Sequence, residues 1–194
     1  MAALLVVGVL PAGCDDTSAA GASVSSGMQP RLATGSFDIG KIDRYRRDGV
    51  YTAYGESHGV YLVAGHGMLV ALAGRCTNPE HRPAAARFDQ VAGIFRCGVC
   101  GAKFTRNGLH IGPDDQTPSL RRCRIRSSGQ IYDPDTTLIV DPNKLFAQEK
   151  QEWSRHTSYF PLAEITQARD QQEAQRALDA RTAERPPMQW DRER

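Results

Sequence analysis

Three cysteines constrain this chain more than any other residues. Cys76 follows an apolar run, and Cys97 and Cys100 bracket Gly98-Val99 about twenty residues later. A C-x-x-C turn aims two sulfurs at one point, so two loops at such spacing can close on a single metal centre. Five cysteines in 194 residues are too few for a disulfide scaffold, and an odd number cannot all pair.

The bulk composition excludes more than it assigns. The chain is long enough for one domain with a proper core plus tails. Its 24 Lys and Arg nearly balance its 22 Asp and Glu, so no nucleic acid or acidic polymer is implied as a partner. The sequence contains no Gly-rich phosphate loop, no nucleophile elbow and no H-E-x-x-H metal motif. His58, His66 and His110 are scattered and fit turns or the surface. No catalytic residue and no small-molecule substrate is assigned.

The first fourteen residues read as a targeting segment. Met1 to Ala12 form an apolar run, too short for the ~20 residues of a membrane span but suited to a signal h-region. Its end, Pro11-Ala12-Gly13-Cys14, resembles a bacterial lipoprotein cleavage box, which implies lipidation of Cys14, export, and anchoring on the periplasmic (outer) face of the cell membrane. The alternative is a buried N-terminal strand with an ordinary cysteine. Residues 15–36 are mostly Ser, Ala, Gly and Thr. Such a segment buries too little surface to offset its ordering entropy, so it is expected to be a flexible tether.

A mainly β domain is expected over 37–162. Val60-Tyr61-Leu62-Val63-Ala64 and Leu69-Val70-Ala71-Leu72 read as strands joined at Gly65-His66-Gly67. Phe88 to Phe95 reads as a strand interrupted by Gly93, and Asn107-Gly108 is a strong hairpin signal. Leu120 to Ile125 reads as a strand with Leu120, Arg122, Arg124 and Arg126 on one face and Arg121, Cys123 and Ile125 on the other. The simplest reading of the arginines is a solvated strand face; the alternative is a docking patch for an acidic redox partner. Two more strands are expected, at Ile131-Tyr132 and Thr137 to Val140. Trp153 and Tyr159-Phe160 are assigned to capping the β core. Many short strands with frequent turn signals imply an antiparallel sandwich or barrel.

The tail, 163–194, changes character. Ala163 to Glu184 is built of helix formers with a thin apolar stripe, and Pro186-Pro187 ends the pattern. A solvated helix is the simplest reading, and a docking helix for a partner subunit the alternative.

The loops carry a further resemblance. Cys76-Thr77-Asn78-Pro79-Glu80-His81, then Cys97-Gly98-Val99-Cys100-Gly101-Ala102-Lys103-Phe104 with Asn107-Gly108, resembles the two cluster-binding loops of Rieske 2Fe–2S iron–sulfur proteins. Gly112-Pro113 and Pro118-Ser119-Leu120 resemble that family's return strand, and the likeness runs from about Ile39 to Val140. It implies an antiparallel β sandwich carrying a small rubredoxin-like metal-binding subdomain. It also implies an electron-transfer or accessory subunit of a membrane-associated redox complex, with the other subunits as partners.

In the same resemblance, Cys76 and Cys97 stand where the family's cysteines hold the inner iron. Asn78 and Cys100 stand where its two histidines hold the outer one. Cys100 can ligate as a thiolate, whereas the neutral Asn78 amide competes badly for iron or zinc. His81 could complete a Cys76, His81, Cys97, Cys100 set, and Cys123 reads as a small core residue.

Three contents of that set stay open: a 2Fe–2S cluster, one tetrahedral zinc, or no metal with the thiols free or oxidised. Thiolate in place of imidazole would move a cluster's potential from the ~−150 to +300 mV Rieske range toward ~−400 mV. Without the exposed histidines, quinol oxidation of the usual Rieske kind is not expected. An oxygenase is not expected either, because no second domain for a two-His-one-carboxylate iron fits in the remaining length.

Overall fold

The alternation of side chains along two central strands decides the architecture. In β3 (Val60–Gly65) and β4 (Met68–Ala73) almost every residue is buried, although strand neighbours point to opposite faces. Both faces are therefore covered. Val60, Leu62, Ala64, Leu69, Ala71 and Ala73 enter one apolar cluster, while Tyr61, Val63, Val70 and Leu72 enter a second on the far side. A run covered on two sides has no polar face to alternate with, which is why it reads as continuously apolar.

Residues 35–80, 84–113, 116–131, 133 and 135–183 are described by this computed structural model. Among them ten strands form two antiparallel sheets. The larger sheet runs β1-β10-β9-β4-β3-β2 and the smaller β5-β6-β7-β8. The large sheet adds β1 (Phe37–Lys41), β2 (Gly49–Tyr51), β9 (Arg122–Ser127) and β10 (Thr137–Phe146). The small sheet comprises β5 (Ala86–Asp89), β6 (Ile94–Cys97), β7 (Lys103–Phe104) and β8 (His110–Ile111). The chain is thus mainly β with a C-terminal helix. After the one-turn helix α1 (Gly55–His58), the Leu162–Ala183 helix (α2) buries only Leu162 and Ile165, both against the first cluster. No helix among the described residues is long and apolar enough to cross a membrane.

The β3–β4 turn shows how tightly local chemistry fixes the fold. His66 and Gly67 both have positive φ, at 53° and 73°, as a two-residue type I′ hairpin demands. Gly67 is required for space as well, since a Cβ there would lie 2.7 Å from that of Ala163 on α2. The turn therefore seats the helix.

Several expectations are corrected. Phe88 to Phe95 is not one strand but the β5–β6 hairpin, because Asp89 Oδ1 accepts from the Val91 and Ala92 amides, each at 3.0 Å, and turns the chain. Ile131 lies in a turn outside the strands, and Tyr132 is outside the described residues. Strand β9 starts at Arg122, so Leu120 precedes it and packs into the second cluster.

The arginines do not form a solvated face. Arg122 and Arg124 are half-buried under Trp153 and beside Asp141; only Arg126 is exposed. His110 sits in β8 with its ring against Phe104, centroids 5.6 Å apart. Phe160 caps the first cluster as expected. The segment containing Met1 to Cys14, the tether through residue 34 and the Pro186-Pro187 stop lie outside the described residues.

Candidate metal centre

Each cysteine loop is closed at its base by backbone hydrogen bonds. After β4, the Cys76 amide donates to the Ala84 carbonyl at 2.8 Å, and the Ala86 amide returns a bond to Gly74 at 3.0 Å. This pins the two ends of the first loop together and starts β5. Thr77 Oγ1 donates to the Pro118 carbonyl, tying the loop to the segment before β9. Sequence reasoning missed this anchor, although a hydroxyl next to the ligand cysteine was its only local sign. Asn78 Oδ1 accepts from the Glu80 amide at 2.8 Å, so its carbonyl oxygen shapes the loop in an Asx turn.

The second loop leaves β6 at Cys97. The Cys97 amide donates to Ala102 at 2.9 Å, and the Gly101 amide donates back to the Cys97 carbonyl at 3.1 Å. Gly101, at φ +73°, makes the reversal that a side chain would strain. Inside the turn the Val99 amide donates to Cys97 Sγ at 3.4 Å, which fixes the sulfur against its own loop.

These loops bring three sulfurs together. The Cys76, Cys97 and Cys100 Sγ atoms all lie within 4.8 Å of one another, with Cys76 and Cys100 at 3.7 Å. A disulfide would need ~2.05 Å, so Cys76 and Cys100 are in contact and not covalently bonded. Cys76 and Cys97 are buried against the second cluster, and Cys100 is exposed at the tip. The group is half in the protein and half at its surface. Cys123 is fully buried in the first cluster, on the opposite side of the large sheet, and serves the core as expected. His81 and Cys14 lie outside the described residues.

With no cation present, the electrostatics favour a neutral Cys76 thiol. The Cys76 thiol is pushed up to about 12, above all by burial; a backbone bond from Asn78 pulls it down, and the neighbouring Cys97 and Cys100 thiols raise it. Sulfurs packed this closely cannot all carry charge unless a positive ion shares the site. A metal ion reverses that preference and holds them as thiolates. The residues therefore fit a metal, and three thiolates in a loop pair suit zinc or iron better than a hard cation. No family model matches the chain, and no curated protein matches its sequence.

Proposed function

We propose that this chain is a Rieske-like metalloprotein acting as an electron-transfer or accessory subunit of a membrane-associated redox complex. The observation that carries this reading is the convergence of Cys76, Cys97 and Cys100 from two loops, one leaving β4 of the large sheet and one leaving β6 of the small sheet. That small sheet packs through Phe95 and Phe104 onto a larger antiparallel sheet. Two packed antiparallel sheets with the thiols beside the smaller one support this reading, in which the resemblance implies a metal-binding subdomain on a β base. His81 is the fourth member of the set in this reading, and Cys14 is its lipid anchor on the outer face of the membrane.

The chain's own residues limit the chemistry. Quinol oxidation of the Rieske kind needs exposed imidazoles that take up a proton, and Asn78 and Cys100 stand at those positions. A bound iron would supply one-electron transfer; a bound zinc would supply none and would brace the loops. The exposed Cys100 beside Val99, itself 69% exposed, puts the metal end of the domain within reach of a partner.

A second reading is favoured by how tightly the thiols pack: a zinc-stabilised scaffold with an assembly role. Purifying the full chain from its own membranes separates the two. A coloured protein bleached by dithionite, retained with a membrane cytochrome, supports electron transfer. A colourless zinc protein retained with redox subunits supports the accessory role. A chain that neither binds metal nor associates with a redox complex would refute the proposal.

A further inference from the structure

The geometry points to a single metal ion shared by Cys76, Cys97 and Cys100, in place of the two-iron cluster that the Rieske resemblance implies. This inference deepens the proposed function and rests on it for the biological role, but not for the metal.

In a 2Fe–2S cluster each iron gives two of its four positions to bridging sulfides and keeps two for the protein. The resemblance puts Cys76 and Cys97 on one iron and Cys100 on the other. Cys100 should then be separated from Cys76 by the length of the cluster. Instead Cys76 and Cys100 approach to 3.7 Å. That is the edge of a tetrahedron with metal–sulfur bonds of ~2.3 Å, which comes to ~3.8 Å.

The third sulfur fits the same polyhedron. Three atoms mutually within 4.8 Å have a common point no more than about 2.8 Å from each, close to bonding distance from one ion. Small rotamer adjustments suffice to reach it. A cluster, by contrast, would require Cys100 to retreat, although the Gly101 and Ala102 hydrogen bonds to Cys97 hold its turn closed. Cys100, where the Rieske resemblance puts a histidine, is consistent with this arrangement. The shorter thiol reaches in beside the other two, and the fourth position falls to a nitrogen or oxygen donor. Binding a divalent ion releases the thiol protons and moves no electrons.

Metal and acid-labile sulfide analysis of the full chain tests the inference. One zinc or one iron per chain and no labile sulfide is the expected result. Cobalt(II) added to the metal-free protein should bind one to one and give the intense visible bands of a tetrahedral thiolate site. Cys100→Ser, at an exposed position, should leave the β circular-dichroism signal intact and weaken cobalt binding at least tenfold.

Two irons with two sulfides per chain would overturn the single-ion site while leaving the redox-subunit reading in place. Failure of the wild-type protein to bind cobalt, or a Cys100→Ser variant binding as tightly as wild type, would also overturn it. One ion found in a protein that associates with no redox complex would uphold this inference and remove the proposed function.

Discussion

The guanidinium of Arg122 lies 4.1 Å from the ring centroid of Trp153, and its Nη1 donates to the Trp153 carbonyl at 3.4 Å. The indole Nε1 in turn donates to the Phe146 carbonyl at 3.2 Å. Arg122 and Phe146 are register partners at the end of the β9–β10 ladder, so Trp153 clamps both strands where they would fray. Burial lowers the Arg122 pKa yet leaves it charged at neutral pH, and the ring face compensates part of that desolvation. Trp153→Ala should cost roughly 2 kcal/mol in urea unfolding. Trp153→Phe should cost less, because it keeps the ring and loses only the indole hydrogen bond.

Further along the same ladder, Arg124 and Asp141 are paired in register and bonded at 2.9 Å. The Asp141 side chain is only 11% exposed, and its second oxygen accepts from the Asn143 amide at 3.1 Å. Removing the arginine strands a largely buried carboxylate. Arg124→Met should therefore destabilise by about 2 kcal/mol, whereas the double change Arg124→Met with Asp141→Leu should recover part of it. A double-mutant cycle in urea measures the coupling; a value near zero would show the pair to be idle.

How much of this was legible in the sequence follows from the range of the forces involved. The β3–β4 hairpin was readable because its turn and both strands are specified by adjacent residues. The C-terminal helix was readable for the same reason, and the facing cysteine loops because thiols at that spacing have few other uses. The β5–β6 reversal was not read, since its signal is one Asp89 side chain capping two amides inside an otherwise strand-like run. β10 was expected to stop at Val140 but continues to Phe146. It passes Pro142 by a shift in register between Asp141 and Leu145, where the missing N–H is not needed. The arginine face was misjudged because Trp153 and Asp141, which cover it, come from later in the chain. Periodicity reports which residues share a face, not what will lie on it.

Helix α2 separates anchoring from reach. Ile165 is 3% exposed and Leu162 7%, and Arg169 pairs with Asp43 at 3.3 Å, but the described residues beyond Arg169 are all exposed. Ile165→Ala should cost about 2–3 kcal/mol. Truncation after Gln171 should change stability by less than about 0.5 kcal/mol. Comparable losses from both would mean that the distal helix packs on something in solution.

Cys123 predicts an alkaline weakness. Burial, with a smaller push from the Asp141 carboxylate, raises its thiol to about 12, against ~8.5 in an unfolded chain. Between those values the unfolded state gives up the proton and the folded state keeps it. The stabilisation is thus complete below about pH 8.5 and is lost as pH rises, by up to tenfold in the folding constant per unit. Cys123→Ala should flatten this alkaline limb when urea midpoints at pH 8 and pH 10 are compared with wild type. Identical slopes would show that the thiol is not held neutral by the fold.

Metal removal should act on the loops and depend on pH in the opposite sense. With its pKa raised to about 12, the Cys76 thiol is protonated across the neutral range, so an incoming ion must displace that proton. Zinc affinity of the metal-free protein should therefore rise with pH between 6 and 8, by up to tenfold per unit for each proton released. An ion held by thiols that only the fold brings together would stabilise the folded state, so a chelator should lower the melting temperature and excess zinc should restore it. His81→Ala, which removes the proposed fourth donor, should reduce metal occupancy, whereas Asn78→Ala should leave it within about threefold, since the Asn78 Oδ1 is engaged by the Glu80 amide. A zinc affinity flat from pH 6 to pH 8 would mean that the thiols are not the ligands.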